Sequence, residues 1–283
     1  MICKADCHIY NYEQGGAAQL CGVTVRPVAG RDGMLYRDQL EGLVRPDNEH
    51  LVRTRMLALE NTHNRAGGRI LPYDEVAAVC SWAQEQGLHR HLDGARLMNA
   101  VVGSGIAADR WGEHFDTISL CFSKGLGAPV GSALCGPREF VERARRHRKV
   151  LGGGTRQAGI LAAGALYAIE HHVDRLAEDH AGAQQLAEVI RRTSGLELRP
   201  PQVDTNLVIF CVDPQLGTAG ELVHRLAQRG VQMIAFGATQ IRACLHLDVS
   251  AEDVDRVCQE LEEAAAQRAA GENRPEEIRV EAY

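Results

Sequence analysis

The chain has 283 residues, and 45% of them are hydrophobic, which is enough to form one large core or two modest domains. Its net charge of −6 at pH 7 argues against a nucleic-acid partner, because binding to phosphates needs a basic surface. Its nine cysteines are odd in number and scattered, which is typical of reduced thiols in a cytoplasmic protein rather than of a disulfide framework.

Strand and helix patterns alternate through the first half of the chain. Short apolar runs predict five strands, at residues 23–28, 55–61, 88–93, 116–122 and 130–136. Amphipathic stretches predict three helices, at residues 36–44, 74–86 and 138–149. Strands separated by helices of this size are typical of parallel βαβ units, so we expect an α/β fold with a mostly parallel sheet flanked by helices.

The pattern changes after the glycines at 152–154. Two helical stretches follow, at 157–172 and 175–192, and the first is rich enough in alanine and glycine to be largely buried. Further patterns predict three strands and a helix, at residues 206–212, 231–236, 241–247 and 251–268. We therefore predict a large α/β domain over residues 1–155, a smaller α+β C-terminal domain over 156–268 and a disordered tail over 269–283.

Two charged residues stand at the ends of predicted strands. Asp93 ends LHRHLD and is followed by Gly94, whereas Lys124 follows DTISLCF. In open parallel sheets, ligands bind at the carboxyl ends of the strands. Taken singly, Asp93 is more simply interpreted as a helix N-cap, and Lys124 as a solvent-exposed loop residue. Together they suit pyridoxal 5'-phosphate (PLP), which needs a lysine for its aldehyde and an acid to keep its ring nitrogen protonated.

Five longer segments resemble one enzyme family. The low-specificity threonine aldolases have signature segments similar to ENTHN, HLDGARLMNA, SLCFSKGLGAPVGSALCG, RKVLGGGTRQAGILAAG and HLDVS. The resemblance extends from about residue 3 to about residue 265. It implies a PLP-dependent transferase of fold type I, which is the aspartate-aminotransferase-like fold.

The resemblance implies a role for each matching residue around the cofactor. Lys124 would bind PLP as a Schiff base, Asp93 would pair with the pyridine N–H, and His8 would stack on the ring. His50 falls where the family has a second active-site histidine. The group that takes the proton from the substrate's β-hydroxyl stays open between His8, His50 and a bound water, since a histidine titrates near working pH.

Four basic residues complete the predicted site. By the same resemblance Arg96, which we also place among the cofactor contacts, and Arg242 would hold the substrate's carboxylate, because a guanidinium offers two parallel donors. Lys149 and Arg156 would reach the phosphate in a neighbouring subunit's site. A homodimer or homotetramer with sites at the subunit interface is therefore expected.

The implied reaction is the cleavage of threonine, allo-threonine and related β-hydroxy-α-amino acids to glycine and an aldehyde. The expected partner is thus a small molecule, and neither nucleic acid nor a membrane. In the family a longer segment precedes the histidine that corresponds to His8, and this segment includes a turn that holds the cofactor phosphate. We therefore expect an N-terminally short chain, for which the alternative is a catalytically impaired homologue or a non-catalytic subunit.

A metal-dependent hydrolase is the less favoured alternative. His89, His91 and Asp93 alternate along one predicted strand and could point to one face as metal ligands. Cys3 and Cys7, together with the adjacent histidine, could form half of a zinc motif. Neither set has further ligands at a recognisable spacing, so we predict no metal site.

Overall fold

The computed structural model describes residues 1–266 in two compact units. Unit 1 comprises Met1–Arg65 and Arg69–Leu176, and unit 2 comprises Ala66–Gly68 and the residues from Ala177 onward. The helix predicted at 157–172 belongs to unit 1, although the domain boundary predicted from sequence falls at residue 155. The assignment of folding domains stays a prediction. The tail predicted at 269–283 and the end of the helix predicted at 251–268 lie outside the described residues.

Unit 1 contains a six-stranded sheet in the order β2-β1-β3-β4-β5-β6. Its strands are β1 (Ile2–Lys4), β2 (Arg26–Val28), β3 (Met56–Glu60), β4 (His89–Gly94), β5 (Thr117–Cys121) and β6 (Ser132–Cys135). All neighbouring pairs among β1 to β5 are parallel, and β6 pairs antiparallel with β5. The expectation of a mostly parallel sheet is confirmed.

The helices of unit 1 follow their strands in βαβ fashion. They are α1 (His8–Asn11), α2 (Gly16–Gln19), α3 (Arg37–Leu40), α4 (Tyr73–Glu85), α5 (Leu97–Ser104), α6 (Ala108–Gly112), α7 (Arg138–Val150) and α8 (Gly159–His171). Helix α4 shows the local signals well: Asp74 and Glu75 lie in its first turn, where acids favour the helix dipole. Gly87, at φ +67°, takes the left-handed conformation just beyond its end.

The main core of unit 1 forms where the helices cover the sheet. Leu57 of β3 and Leu92 of β4 are buried together with Val76 and Ala83 of α4 and with Trp111 of α6. Burying such side chains stabilises the fold by about 1.5–3 kcal/mol each. This packing fixes β3, β4 and β5 against one another, and with them the segments that follow their carboxyl ends.

Unit 2 is built around a four-stranded antiparallel sheet in the order β7-β8-β10-β9. Its strands are β7 (Leu196–Leu198), β8 (Leu207–Val212), β9 (Ile234–Ala235) and β10 (Gln240–Cys244), and the helices of this part of the chain are α9 (Leu176–Arg192), α10 (Ala219–Gln228) and α11 (Ala251–Ala266). Helix α10 begins with a capping box, in which Glu221 N–H donates to Thr218 Oγ1 at 3.2 Å and Thr218 N–H donates to Glu221 Oε2 at 2.7 Å.

The short segment Ala66–Gly68 belongs to unit 2 although it lies far from the rest of that unit in sequence. Thr205, which is 0% exposed, donates a hydrogen bond from its hydroxyl to Gly68 O at 2.7 Å. A Cβ on Gly67 would lie 2.8 Å from Pro200 Cδ. Glycine is therefore required where this segment packs.

The expectation that the alanine- and glycine-rich helix is largely buried is wrong for the single chain. In α8 only Ala165 and Ala168 are buried, whereas Ile160 is 84% exposed and Tyr167 is 58% exposed. Composition indicates how well a helix could pack, but it does not say which surface of the same chain covers it.

Candidate active site

Asp93 lies at the carboxyl end of β4, inside the parallel sheet. In register it stands opposite Glu60 of β3 and Ser119 of β5. Its backbone O accepts a hydrogen bond from Asn61 N–H at 2.9 Å, and its Oδ1 accepts one from Ala95 N–H at 3.2 Å. The N-cap position of α5 is held by Arg96, so capping of that helix does not account for this acid.

Lys124 lies in the turn that follows β5. Because β5 runs parallel to β4 and ends at Cys121, Lys124 and Asp93 follow the same edge of the sheet. The turn is closed by Gly127 N–H, which donates to Lys124 O at 2.8 Å. Within residues 1–266 the half-buried Lys124 amine has no hydrogen bond or ion pair. An amine held this way is not engaged by a neighbouring side chain and is available to a carbonyl group.

Two glycines beside these residues allow close approach of the backbone. A Cβ on Gly94 would lie 2.9 Å from Ser119 O, and a Cβ on Gly125 would lie 3.0 Å from Asn99 Oδ1. The first distance leaves no room for a side chain, and at the second the Asn99 side chain would have to shift by a few tenths of an ångström. The segments that carry Asp93 and Lys124 are therefore packed tightly against their neighbours.

His8 begins α1 just after β1, and β1 is parallel to β3 in the same sheet. Its ring stacks on Tyr12 with the centroids 4.7 Å apart, and its Nε2 lies 2.9 Å from Glu13 Oε1. Its backbone N–H donates to Glu60 Oε2 at 2.7 Å. His8 thus joins Asp93 and Lys124 at the carboxyl edge of the sheet.

Arg96 and His50 differ in how closely they are tied to this edge. Arg96 is half-buried and lies three residues after Asp93, at the start of α5. The His50 side chain is 84% exposed, and its Nε2 lies 3.6 Å from Glu49 Oε1. Its backbone N–H donates to Asn48 Oδ1 at 2.8 Å, so its described contacts stay within its own loop. Within residues 1–266, no residue of the sheet edge forms a hydrogen bond or an ion pair with His50.

The predicted cross-subunit residues lie on the surface of unit 1. Lys149 is in the last turn of α7, a helix with no buried residue, and Arg156 follows in the loop before α8. Both side chains are exposed. Their exposure is compatible with contact to a second subunit and also with a solvated surface.

Arg242 lies in unit 2, on β10, opposite Ile209 of β8 and Ile234 of β9. Its guanidinium carbon lies 5.4 Å from the centroid of the Phe236 ring, in cation–π contact. Arg242 also lines a mostly apolar cavity of about 380 Å³, together with residues such as Met233. The guanidinium is thus held at the wall of a cavity large enough for a small molecule.

Sequence reasoning missed two buried titratable groups at this edge. Glu60 is 5% exposed, and burial raises its pKa, which the nearby charge of Asp93 raises further. His63 is 1% exposed, and burial, followed by the charge of Lys4, lowers its pKa to about 4. The signal for Glu60 was present in the sequence: it directly follows the apolar residues MLAL, much as Asp93 directly follows Leu92 at the end of LHRHLD.

The histidines of β4 have a structural partner rather than a metal. His89 Nε2 and His91 Nδ1 each lie 2.9 Å from Thr117 Oγ1 of β5. Burial lowers the pKa of His91, although the charge of Asp93 opposes the shift. Within residues 1–266, no group of three or more His, Cys, Asp or Glu side chains is arranged to hold a metal ion. The geometry therefore does not favour the metal-hydrolase alternative.

Similarity to known proteins shows which enzyme family the chain belongs to. Residues 1–213 match the model of the beta-eliminating lyase family. The low specificity L-threonine aldolase of Escherichia coli strain K12 is 40% identical over 251 residues, which cover 88% of this chain and 72% of that protein. The chain belongs to the low-specificity threonine aldolases of this lyase family. The low-specificity L-threonine aldolase 1 of Arabidopsis thaliana is 36% identical over 258 residues, 90% of this aldolase chain and 72% of the plant protein.

A solved structure supports the same fold for this threonine aldolase. The threonine aldolase of Leishmania major superposes with a TM-score of 0.79 at 19% identity, covering 93% of this chain and 77% of that one. At this identity the likeness concerns the fold alone. It confirms the predicted fold class, an α/β fold of type I with a mostly parallel sheet flanked by helices.

The threonine aldolases of this family depend on PLP, and the residues at the sheet edge fit that group. A pyridine aldehyde needs an available amine and an acid, and Lys124 and Asp93 supply them from adjacent parallel strands. The close packing of Gly94 against Ser119 O and of Gly125 against Asn99 holds the segments that carry these two residues in place. Donor chemistry and strand placement are therefore consistent with the cofactor.

Proposed function

We propose that this aldolase cleaves threonine, allo-threonine and related β-hydroxy-α-amino acids between Cα and Cβ, giving glycine and an aldehyde. The observation that carries the proposal is the pairing of β4 with β5. It sets Asp93 along one sheet edge with Lys124, whose amine has no hydrogen bond or ion pair among residues 1–266. The substrate would accordingly be a small amino acid, and the products would serve threonine catabolism and glycine formation.

Three residues of unit 1 would hold the cofactor. Lys124 would bind PLP through its amine, Asp93 would hold the proton on the ring nitrogen, and His8 would lie against the ring. When bound, PLP supplies an electron sink for the pair released as the Cα–Cβ bond breaks. Arg96, next to the Asp93 segment, would complete the contacts from this unit.

The guanidinium groups of two arginines would orient the substrate. A nearby base would carry out proton transfer. Arg242 and Arg96 would hold the carboxylate, which fixes which Cα bond is weakened. The base takes the β-hydroxyl proton, and Cα must then receive a proton for glycine to form. His8, with its ring 30% exposed at the sheet edge, is better tied to the edge than His50, and a bound water remains the third candidate.

Assembly and location are inferred from the surface of the chain. We infer a homodimer or homotetramer, in which exposed Lys149 and Arg156 reach a neighbouring subunit's phosphate. The nine cysteines are all free, which supports a reducing, cytoplasmic location. Among residues 1–266, none of the helices is long and apolar enough to cross a bilayer.

A covalent trapping experiment tests the proposal. The chain has only three lysines, Lys4, Lys124 and Lys149, so the site of attachment can be read without ambiguity. After incubation with PLP and reduction with borohydride, peptide mapping is expected to find the cofactor on Lys124. A separate, unreduced sample incubated with PLP should convert L-threonine to glycine and acetaldehyde. Lys124→Arg should abolish both results, and Arg138→Ala, which removes an exposed cation on α7, should abolish neither.

The alternatives give different results in the same experiment. A chain that carries no label and forms no aldehyde would be a catalytically impaired homologue, and the proposed activity would be refuted. A chain that is inactive alone but forms hetero-oligomers with the Escherichia coli relative would be a non-catalytic subunit. Size-exclusion chromatography of the mixed proteins distinguishes these two cases.

A further inference from the structure

Glu60 is a buried carboxylate whose two oxygens are both used by backbone donors. It ends β3 in the sheet, and it is 5% exposed. Its Oε2 accepts a hydrogen bond from His8 N–H at 2.7 Å, and its Oε1 accepts one from Asn64 N–H at 2.8 Å. The two donors lie 52 residues before and 4 residues after it in sequence. One side chain therefore joins the segment after β1 to the segment after β3.

The hydrogen bond from His8 N–H to Glu60 replaces the N-cap hydrogen bond that α1 lacks. Cys7 occupies the N-cap position of this helix and makes no side-chain capping bond. His8, the first helical residue, instead donates its N–H to Glu60 from the neighbouring strand. A carboxylate is well suited to the free N–H groups at a helix start, and bonds to charged acceptors are the stronger ones. The start of α1 is thus fixed from outside the helix.

The buried position of Glu60 is unfavourable for an ionised carboxyl group unless its two hydrogen bonds offset the cost of burial. In register it stands opposite Asp93, a second acid. Burial and the charge of Asp93 both favour the protonated form of Glu60 and raise its pKa. A serine at residue 7 would cap the helix without burying a carboxyl group. Glu60 lies on β3 and Asp93 on the adjacent strand β4. The hydrogen bond to Glu60 therefore makes the placement of His8 depend on the same two strands that place Asp93.

We propose that Glu60 is a positioning residue that fixes His8 relative to Asp93, so that the histidine meets the cofactor ring at the sheet edge. The inference rests on the proposed function for its chemical purpose, because His8 is assigned there to the ring. The anchoring itself is independent of any ligand. Glu60 touches no reacting atom in this account and acts only through His8.

Hydrogen exchange without cofactor tests the anchoring. In Glu60→Gln the side chain keeps its size, but it loses its charge and can accept from only one of the two N–H groups. The bond to His8 N–H is therefore either lost or weakened, and peptides that cover His8–Tyr12 should exchange about tenfold faster. Glu13→Gln is the matched control, because it removes a carboxylate that contacts the ring of His8 and not its backbone. This control should leave the exchange of the backbone unchanged. Unchanged exchange in Glu60→Gln would overturn the proposal.

A double-mutant cycle on PLP affinity tests the purpose of the anchoring. If Glu60 acts through His8, Glu60→Gln should weaken PLP binding in the wild-type chain and have no effect in the His8→Ala chain. Additive losses would show that Glu60 acts elsewhere and would overturn the positioning role. Should Glu60→Gln not fold, as judged by circular dichroism, Glu60→Asp, which is one methylene shorter, takes its place in both measurements.

The two measurements separate this inference from the proposed function. Wild-type protein that binds no PLP refutes the proposed function, while a tenfold change in exchange still supports the anchoring of His8. Wild-type protein that binds PLP, with exchange unchanged in the variant, refutes the anchoring and leaves the proposed function in place.

Discussion

Gly94 marks a close backbone approach beside the candidate site. Its neighbour Asp93 faces Ser119 across the parallel pair, and the backbone at 94 passes so near Ser119 O that a methyl group has no room. At such a position glycine is required because a side chain has no room, and not because it takes part in any reaction. The effect of its replacement should therefore appear in stability before it appears in any reaction.

Gly94→Ala is expected to lower the free energy of unfolding by about 1–3 kcal/mol, since the new Cβ would lie 2.9 Å from Ser119 O and 3.1 Å from Ile118 Cγ2. Urea denaturation followed by circular dichroism measures the change. Gly16→Ala is the matched control, because Gly16 has helical backbone angles and nothing lies within 4 Å of its Cβ position. Equal stabilities for the two variants would contradict the close approach.

Thiol reactivity gives a second test at the scale of residues. Burial raises the pKa of Cys80 to about 12, whereas Cys21 is exposed. A thiol with a raised pKa carries little thiolate at neutral pH, and a buried one is also hard to reach. Cys21 should therefore be modified by Ellman's reagent well before Cys80, as peptide mapping can show. Labelling of both residues at one rate in the native protein would contradict this assignment of burial.

The strands β4 and β5 are tied together at their beginnings by an ion pair. Arg90 donates to Asp116 through Nε at 3.0 Å and Nη2 at 2.7 Å, and its backbone N–H also donates to Asp116 Oδ2 at 2.7 Å. The Arg90 guanidinium holds the pKa of Asp116 below its usual range. The pair lies at the ends opposite the candidate site and helps to hold the two strands that carry it in parallel.

Asp116→Asn should reduce stability in a pH-dependent way. Because the folded-state pKa lies below the unfolded value of about 3.9, the pair stabilises the fold above that pH and loses its effect as pH falls through the folded-state value. We expect a loss of about 1 kcal/mol at pH 7, discounted for the partial exposure of Asp116, and a smaller loss at pH 3. Denaturation curves at both pH values measure it. Asp47→Asn, at an exposed loop position, is the matched control and should change the stability at pH 7 much less.

The elements differ in how far they could be predicted from sequence. Helices α4 and α7 have clear amphipathic patterns, and their predicted bounds agree with the observed ones to within a residue. Strand β1 was missed because its three residues are too short for a periodic pattern. Helix α10 was missed although its capping-box residues are visible in the sequence.

For a similar reason, some residues of the candidate site could be predicted from sequence and others could not. Asp93 and Lys124 end apolar runs, so strand order alone brings them together. Glu60 shows the same local signal, but its donors come from residues 8 and 64, and only the register of the sheet reveals them. The roles of His50, Lys149, Arg156 and Arg242 stay predictions, because they depend on a ligand or on a second subunit.

The whole chain offers an apolar surface around α8 that the described residues of one copy leave open. Ile160 is 84% exposed, Val150 is 83% exposed, and Leu151 and Tyr167 are more than half exposed. Large apolar side chains left exposed in neighbouring stretches of a chain are typical of protein interfaces. The surface lies close in sequence to Lys149 and Arg156, which are assigned to a neighbouring subunit.

Self-association should therefore depend on α8. Ile160→Asp is expected to shift the protein to a smaller oligomer, because it sets a charge where an apolar contact would form. Analytical ultracentrifugation of both proteins at one concentration measures the change. Ile160→Leu keeps the apolar surface and should behave as wild type. A wild-type chain that sediments as a monomer would contradict the assembly.

Ala66–Gly68 has a consequence for how the polypeptide is made and dissected. Gly68 and Thr205 are joined by a hydrogen bond although they stand 137 positions apart. During translation the diglycine must wait until Thr205 has left the ribosome before it can dock. A gene fragment that begins at codon 177 would lack the acceptor of the Thr205 hydroxyl and the glycines that pack against Pro200 and Leu207. Adding the segment 66–68 back through a flexible linker should therefore raise the yield of that fragment in soluble form.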